Sequence, residues 1–175
     1  KNKVKIKDLK KIKIEDALVK ILSSPNHSNK SWITDQYDQV VMCDTVQKSG
    51  GDAAVVRIHN KNKAVAISVD SSANYCNVDP KTGGKQIVCE NWRNLISVGA
   101  KPLAITNCLN FGSPEKPKVM GEFVGCIEGM KEACEYLNFP VVSGNVSFYN
   151  ETNSKSIFPT PVIGGIGLIE NLNKI

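Results

Sequence analysis

The sequence predicts an α/β domain of two layers, a mixed β-sheet with helices on one face. Two observations lead there. Apolar runs of strand length cluster at Val40–Val46, Ala53–Ile58 and Ala64–Asp70. Apolar residues at helical spacing then recur at Ile87, Val88, Trp92, Leu95 and Ile96, and the two periodicities alternate to the end of the chain. At 175 residues and 41% hydrophobic content, the chain is long enough to bury one core.

Taken in order, Ile14 to Leu22 reads as a short amphipathic helix, with Ile14, Ala17, Leu18, Ile21 and Leu22 on one stripe and Ser24-Pro25 as its stop. Residues 26 to 39 are polar and irregular, with Trp32 and Tyr37 as the expected anchors. The three strand runs are separated by "QKSGGD" and "HNKN", both of hairpin-turn composition, so an antiparallel meander follows. "GGKQIVCENWRNLISVGA" is a helix closed at Gly99, where a glycine tolerates the left-handed backbone of a helix end, and its opposite face carries Gln86, Glu90 and Asn94. "PLAITNCLNFG" is a further strand running into the loop "SPEKP". Val119, Met120, Phe123, Val124, Ile127, Met130, Cys134 and Leu137 trace a second helix that Pro140 ends. Val141-Val142 and Thr160 to Ile169 are the last extended segments, flanking "SGNVSFYNET".

The strand runs are apolar at most positions rather than alternating. The sheet face turned away from the helices is therefore expected to stay apolar and exposed, which argues for a partner: a second copy, as a homodimer through that face, or a further domain. No internal repeat is visible. The organisation expected is a lysine-rich linker and short helix over 1–22 and one domain over 23–175. The chain begins with Lys, and it is expected to be a piece of a longer polypeptide.

Charge and cysteines exclude several classes. Seven of the 22 Lys and Arg residues lie in the first thirteen positions, so the remainder carries 15 basic against 16 acidic residues. That leaves no basic face for nucleic acid. None of the six cysteines is at CxxC spacing with another, most sit in apolar runs, and neither histidine joins them in a ligand pattern; they read as buried thiols of a cytoplasmic protein. There is no apolar run of membrane-spanning length and no signal-peptide core, so no membrane partner is expected.

Four places have the residue types for chemistry. Asp70 ends the apolar run "AVAISVD", at the rim of a sheet. Glu90 and Asn94 are one helical turn apart, on one face. With Asp70 they would offer hard oxygen ligands suited to Mg²⁺ shared with phosphate, while the same spacing equally describes a solvated helix face. Asn107 and Asn110 sit at the end of another strand, where such residues either cap turns or meet ligands. In "SGNVSFYNET", Gly144 permits close backbone approach, Asn145 offers an amide oxygen and Ser147 a hydroxyl donor. Read as a loop, its successive N–H groups would form an anion-binding nest, though ordinary loops share this composition and it fits no Walker or dinucleotide pattern. His27 and His59 lie in polar turns, so no nucleophile or general base is evident, and no catalytic residue is assigned.

"TNCLNFGSPEKP", "SGNVSFYNET" and "IFPTPVIGGIGLIE", in this order and spacing, resemble phosphoribosylformylglycinamidine synthase. With "SSPNHSNKSWITDQYD", "GGDAAVVRI" and "DPKTGGKQIVCENWRNLISVGAKPLA" the likeness runs from Ser23 to Glu170. It implies an amino-terminal domain of the aminoimidazole-ribonucleotide-synthetase type, from the second half of a duplicated synthetase chain, its sheet packing on a pseudo-twin domain. The reaction implied converts formylglycinamide ribonucleotide, ATP and glutamine-derived ammonia to the amidine, ADP and phosphate, ATP activating the amide oxygen as an iminophosphate that ammonia displaces. Motif by motif, Asn107 and Gly144 match nucleotide contacts, Asn145 a Mg²⁺ ligand and Ser147 a substrate contact. Asn107 stands where relatives often carry Asp, so it can accept a hydrogen bond but helps a cation less. Asp70, Glu90 and Asn94 resemble the metal-holding set of a second, structural nucleotide site. ATP and Mg²⁺ are the implied cofactors. A glutaminase subunit, a small accessory subunit and the remaining domains of the parent are the implied partners. The resemblance places the catalytic histidine and the glutaminase apparatus elsewhere, so the fragment alone is expected to be inactive. A rival of another class is a scaffold module whose bound nucleotide serves the fold.

Overall fold

The computed structural model describes residues 12–37, 40–48 and 50–175. They form two compact units divided in sequence between Gln39 and Val40. In the first, α1 (Ile14–Leu22) occupies the span its apolar stripe predicts, followed by a 3-10 turn at Pro25–His27 and α2 (Ser31–Thr34). The expectation of Trp32 and Tyr37 as anchors is not met, since both rings are exposed. Most of the lysine-rich segment lies outside the described residues.

The second unit holds the core. Its sheet comprises β1 (Thr45–Gln47), β2 (Ala54–Arg57), β3 (Ala64–Ser71), β4 (Lys101–Asn110), β5 (Val141–Ser147) and β8 (Thr160–Ile169), in the order β1-β2-β3-β8-β4-β5. A separate hairpin pairs β6 (Glu151–Thr152) with β7 (Lys155–Ser156). All neighbours in the sheet are antiparallel except β4 and β5, which run parallel and so require a long crossover. That crossover is α5 (Pro117–Leu137).

The expected strand from Val40 is shortened: Val41–Cys43 make a 3-10 turn in which Met42 and Cys43 take positive φ, breaking the extended backbone before Thr45. Cys43 is exposed there, unlike the buried thiols Cys76, Cys126 and Cys134. A short helix without a sequence signal, α3 (Ala73–Val78), is held by the burial of Cys76.

Helix α4 (Pro80–Ser97) begins where Asp79 accepts a hydrogen bond from the Thr82 N–H (3.0 Å) and proline fills the first turn, and Gly99 at φ +77° follows its end. Helix α5 stops at Asn138, whose left-handed backbone lets the Phe139 N–H reach Cys134 O (2.9 Å). The two helices approach closely because Gly84 and Gly129 have no side chain; a Cβ at either would meet the facing backbone. Glu132 clasps Lys81 and Lys85 across them, and these ammonium groups hold its carboxyl down at about 2. Ile87, Val88, Leu95, Cys126 and Met130 of this layer bury against Ala64, Ala66, Ile105, Leu109, Ile163 and Ile169 of the sheet. On the other face Val56, Ile67, Val69 and Ile166 are exposed, Ile67 and Ile166 lying directly opposite one another, so the bare apolar face is present as the strand pattern predicts. Among the described residues no helix is long and apolar enough to cross a membrane.

Candidate functional site

The carboxyl ends of β3, β4 and β5 and the amino end of β8 form one rim of the sheet. Register places the expected residues on it in rows. Asp70 lies opposite Ile163, Ile163 opposite Asn107, and Asn107 opposite Gly144. Ile163 is fully buried, so this row faces the helices. The next row, Ser71, Val162, Cys108 and Asn145, faces the open side, as does the row of Thr160, Asn110 and Ser147.

The rim reading of Asn107 and Asn110 therefore holds, with Asn107 three residues inside the strand. The nest reading of "SGNVSFYNET" does not. Ser143 to Ser147 are strand β5, in which successive N–H groups point to opposite sides and one set pairs with β4, so they cannot converge on one anion. What replaces the nest is side-chain chemistry. A Cβ on Gly144 would overlap Asn107 Oδ1, so this glycine makes room for that amide. Asn107 is half-buried and Asn145 exposed, and among the described residues neither side chain has a hydrogen-bond partner. Two unpaired amides at the carboxyl end of a parallel strand pair occupy the place where open α/β sheets bind ligands.

Asp70 and Asn94 do come together, but as a hydrogen-bonded cluster. Asp70 Oδ1 accepts from Asn94 Nδ2 (2.8 Å), and Oδ2 accepts from Ser68 Oγ (2.7 Å) and Asn91 Nδ2 (2.8 Å). Asn94 thus turns its amino group, not its oxygen, toward the carboxylate. Glu90 is exposed on α4 with no side-chain partner among the described residues. Asn94 meets Asp70 as a donor and Glu90 hydrogen-bonds neither of them, so no side-chain contact among the described residues gathers the three as oxygen ligands of one Mg²⁺. Asn145, on the opposite face of the sheet, does not join them.

The centre of that cluster is a residue sequence reasoning missed. Asn91 is fully buried; its Nδ2 also donates to Ser68 O (3.0 Å), while its Oδ1 is buried without a hydrogen-bond partner. Oδ1 occupies the space a Cβ on Gly165 would fill. The signal was available: Asn91 falls four residues after Ile87 and four before Leu95, a lone amide on the apolar stripe.

Beyond β5 the chain is latched to the loop after β4. Glu151 Oε1 accepts from Lys116 Nζ (2.7 Å), Ser156 Oγ (2.7 Å) and the Ser113 N–H (3.0 Å), and the Lys116 ammonium, then these two donors, hold its carboxyl down at about 2. Asn150 Nδ2 donates to Phe111 O (3.0 Å), Ser147 O (2.9 Å) and Ser147 Oγ (3.1 Å).

Residues 50–169 match the family described as AIR synthase related protein, N-terminal domain. The chain belongs to this family. Among its relatives, the phosphoribosylformylglycinamidine synthase subunit PurL of Pelagibacter ubique is 65% identical over 169 residues, covering 97% of this chain and 23% of the relative. The PurL subunit of Azorhizobium caulinodans is 54% identical over 163 residues, covering 93% of this chain and 22% of the relative. This AIR synthase related domain thus spans less than a quarter of the length of these curated relatives. Among solved structures, Thermotoga maritima PurLQS superposes with a TM-score of 0.78 at 39% identity, over 84% of this chain and 24% of that one. T. maritima PurL complexed with ATP gives 0.75 at 38%, over 85% and 24%. Thiamine monophosphate kinase from Aquifex aeolicus, at 20% identity and a TM-score of 0.55, over 80% of this chain and 43% of that one, shares the fold alone. The two-layer α/β architecture and the family likeness read from the motifs both hold.

Proposed function

We propose that this domain forms one wall of the nucleotide and substrate site of an ATP-dependent carbon–nitrogen ligase, the phosphoribosylformylglycinamidine synthase reaction, as part of a longer parent chain. The observation that carries the reading is the pair of unpartnered amides, Asn107 and Asn145, on the carboxyl rim of β4 and β5. Identity to PurL subunits through these strands supports it.

In this reading Asn107, seated over Gly144, hydrogen-bonds the nucleotide from the helix side of the rim. Asn145 gives one neutral oxygen to Mg²⁺ shared with the ATP phosphates, the metal's charge stabilising the transferring phosphoryl group when bound. Ser147, on the same open face two residues on, meets formylglycinamide ribonucleotide. The chain orients and polarises, and the proton-transfer groups come from elsewhere in the parent. Asp70 and Asn94 hold β3 to α4 in this scheme and carry no metal. The bare face around Ile67, Val69 and Ile166 is covered by a sheet from the remaining domains of the parent. A glutaminase subunit and a small accessory subunit supply ammonia to the assembled enzyme, in the cytoplasm.

The test uses the full-length parent with ammonia, Mg²⁺, ATP and formylglycinamide ribonucleotide. Amidine formation is expected, and Asn145→Ala should raise the Mg²⁺ concentration needed for half-maximal rate. Unchanged turnover and Mg²⁺ dependence in that variant, with lowered stability, would instead support a nucleotide-bound scaffold.

A further inference from the structure

We infer that Asn150 is a positioning residue that fixes Ser147 as a hydrogen-bond donor, so that this point of the rim selects a ligand acceptor oxygen over an amino group. The inference rests on the reading of Ser147 as a substrate contact.

Asn150 Nδ2 faces three oxygens: Phe111 O, Ser147 O and Ser147 Oγ. Two are backbone carbonyls, which only accept. The amino end of the amide must therefore point at them, and the backbone dictates its orientation. Asn150 itself is pinned in place, its N–H donating to Phe111 O (3.1 Å) and its carbonyl accepting from the Ile157 N–H (3.0 Å). A serine hydroxyl has one proton and two lone pairs. Because Ser147 Oγ receives an N–H from Asn150, its own proton points away from that amide.

Among the described residues no acceptor takes that proton. Ser147 lies on the open face, in the row beyond Asn145, at the carboxyl end of β5. The group that completes it is an acceptor oxygen, of a phosphate or of an amide carbonyl. An ammonium or amino group could use only the one lone pair that Asn150 leaves free and would leave the hydroxyl proton without an acceptor, so it is the poorer match. Such an oxygen belongs either to the ribonucleotide or to ATP, and separate Michaelis constants tell the two apart.

The experiment uses the full-length parent with saturating ammonia, measuring KM for formylglycinamide ribonucleotide and for ATP. Ser147→Thr keeps the hydroxyl and should raise the ribonucleotide KM less than Ser147→Ala does. Ser147→Ala loses one hydrogen bond and should raise the ribonucleotide KM about tenfold with the ATP KM unchanged. Ser147→Asp, which only accepts, should bind worse than alanine. Asn150→Ala should reproduce the alanine effect, and the double variant should be no worse than Ser147→Ala alone, whereas a residue that merely stiffens the loop would add its own loss. If Ser147→Ala changes neither constant, the contact reading fails and the inference with it. A rise in the ATP KM instead keeps the donor and reassigns the ligand. If Ser147→Ala weakens the ribonucleotide while Ser147→Asp binds as wild type, the contact stands and the donor assignment is overturned. That last comparison needs no Asn150 variant, so a misfolded Asn150→Ala leaves the inference open to refutation.

Discussion

Replacing Gly165 by alanine tests whether the Asn91 cluster is as closely fitted as it looks. The added Cβ would fall on Asn91 Oδ1, inside a fully buried site. Asn91 cannot swing aside freely, since its Nδ2 donates to Asp70 Oδ2 (2.8 Å) and Ser68 O (3.0 Å). Overpacking a well-filled core costs about 1–3 kcal/mol. Displacing the amide takes a donor from two acceptors for roughly another 1–3 kcal/mol, giving about 2–6 kcal/mol in all. Hydrogen exchange of α4 peptides in the intact parent reads this directly, because the loss should appear as roughly 30- to 20,000-fold faster exchange. Asn91→Ala removes the obstructing oxygen along with the donors, so the double variant should cost less than the two single losses combined. Exchange unchanged within about threefold in Gly165→Ala, or full additivity in the double, would refute the fit.

Gly144→Ala would push the Asn107 amide off its seat, so the ATP KM of the parent should rise about tenfold with little change for the ribonucleotide; equal effects on both would point to general damage. Glu151 has a folded pKa of about 2, below the ordinary carboxylate value. Its stabilisation is therefore complete above the unfolded pKa, about 4.3, and lost as pH falls toward 2. Protection of the Ser113 N–H, corrected for intrinsic exchange, should fall through that window in wild type and lack that dependence in Glu151→Gln. Val69→Asp sits on an exposed position of the open face, so exchange protection of β3 should hold while the parent loses contact between this domain and the sheet proposed to cover it, seen as faster proteolysis between domains.

Periodicity made most of the fold legible. Ile14–Leu22, the α4 stripe and the α5 stripe all carry a 3.6-residue signal over two turns or more and all form helices; the α4 and α5 stripes are largely buried, while that of Ile14–Leu22 stays exposed. It failed where local backbone geometry overrode composition. Nothing in "VVMCDTV" announces positive φ at Met42 and Cys43, and "ANYCNV" has a single strong helix former, Ala73, and is held by burial of Cys76. In the site, residue types were visible and their directions were not. "SGNVS" has loop composition, yet it pairs along β4 as an edge strand, and only that register shows Gly144 facing the helices and Asn145 facing the open side.

That alternation shows how so short a stretch would serve the two purposes proposed for it. A strand sends successive side chains to opposite faces, so Gly144 and Asn145 cannot address the same side of the sheet. The helix side at Gly144 is closed by Asn107, so in the proposed function nucleotide contact there falls to one amide and the adjoining backbone. The open side at Asn145 and Ser147 continues into the apolar face of Ile166 and Ile67, which needs a cover. In the proposed assembly, the sheet that packs on that face brings its own residues over the rim beside Asn145 and Ser147. Burial of the apolar face and completion of the site are then one event. A variant such as Val69→Asp, which touches no ligand, should weaken substrate binding in the parent along with domain packing, and retained KM with loosened domains would separate the two.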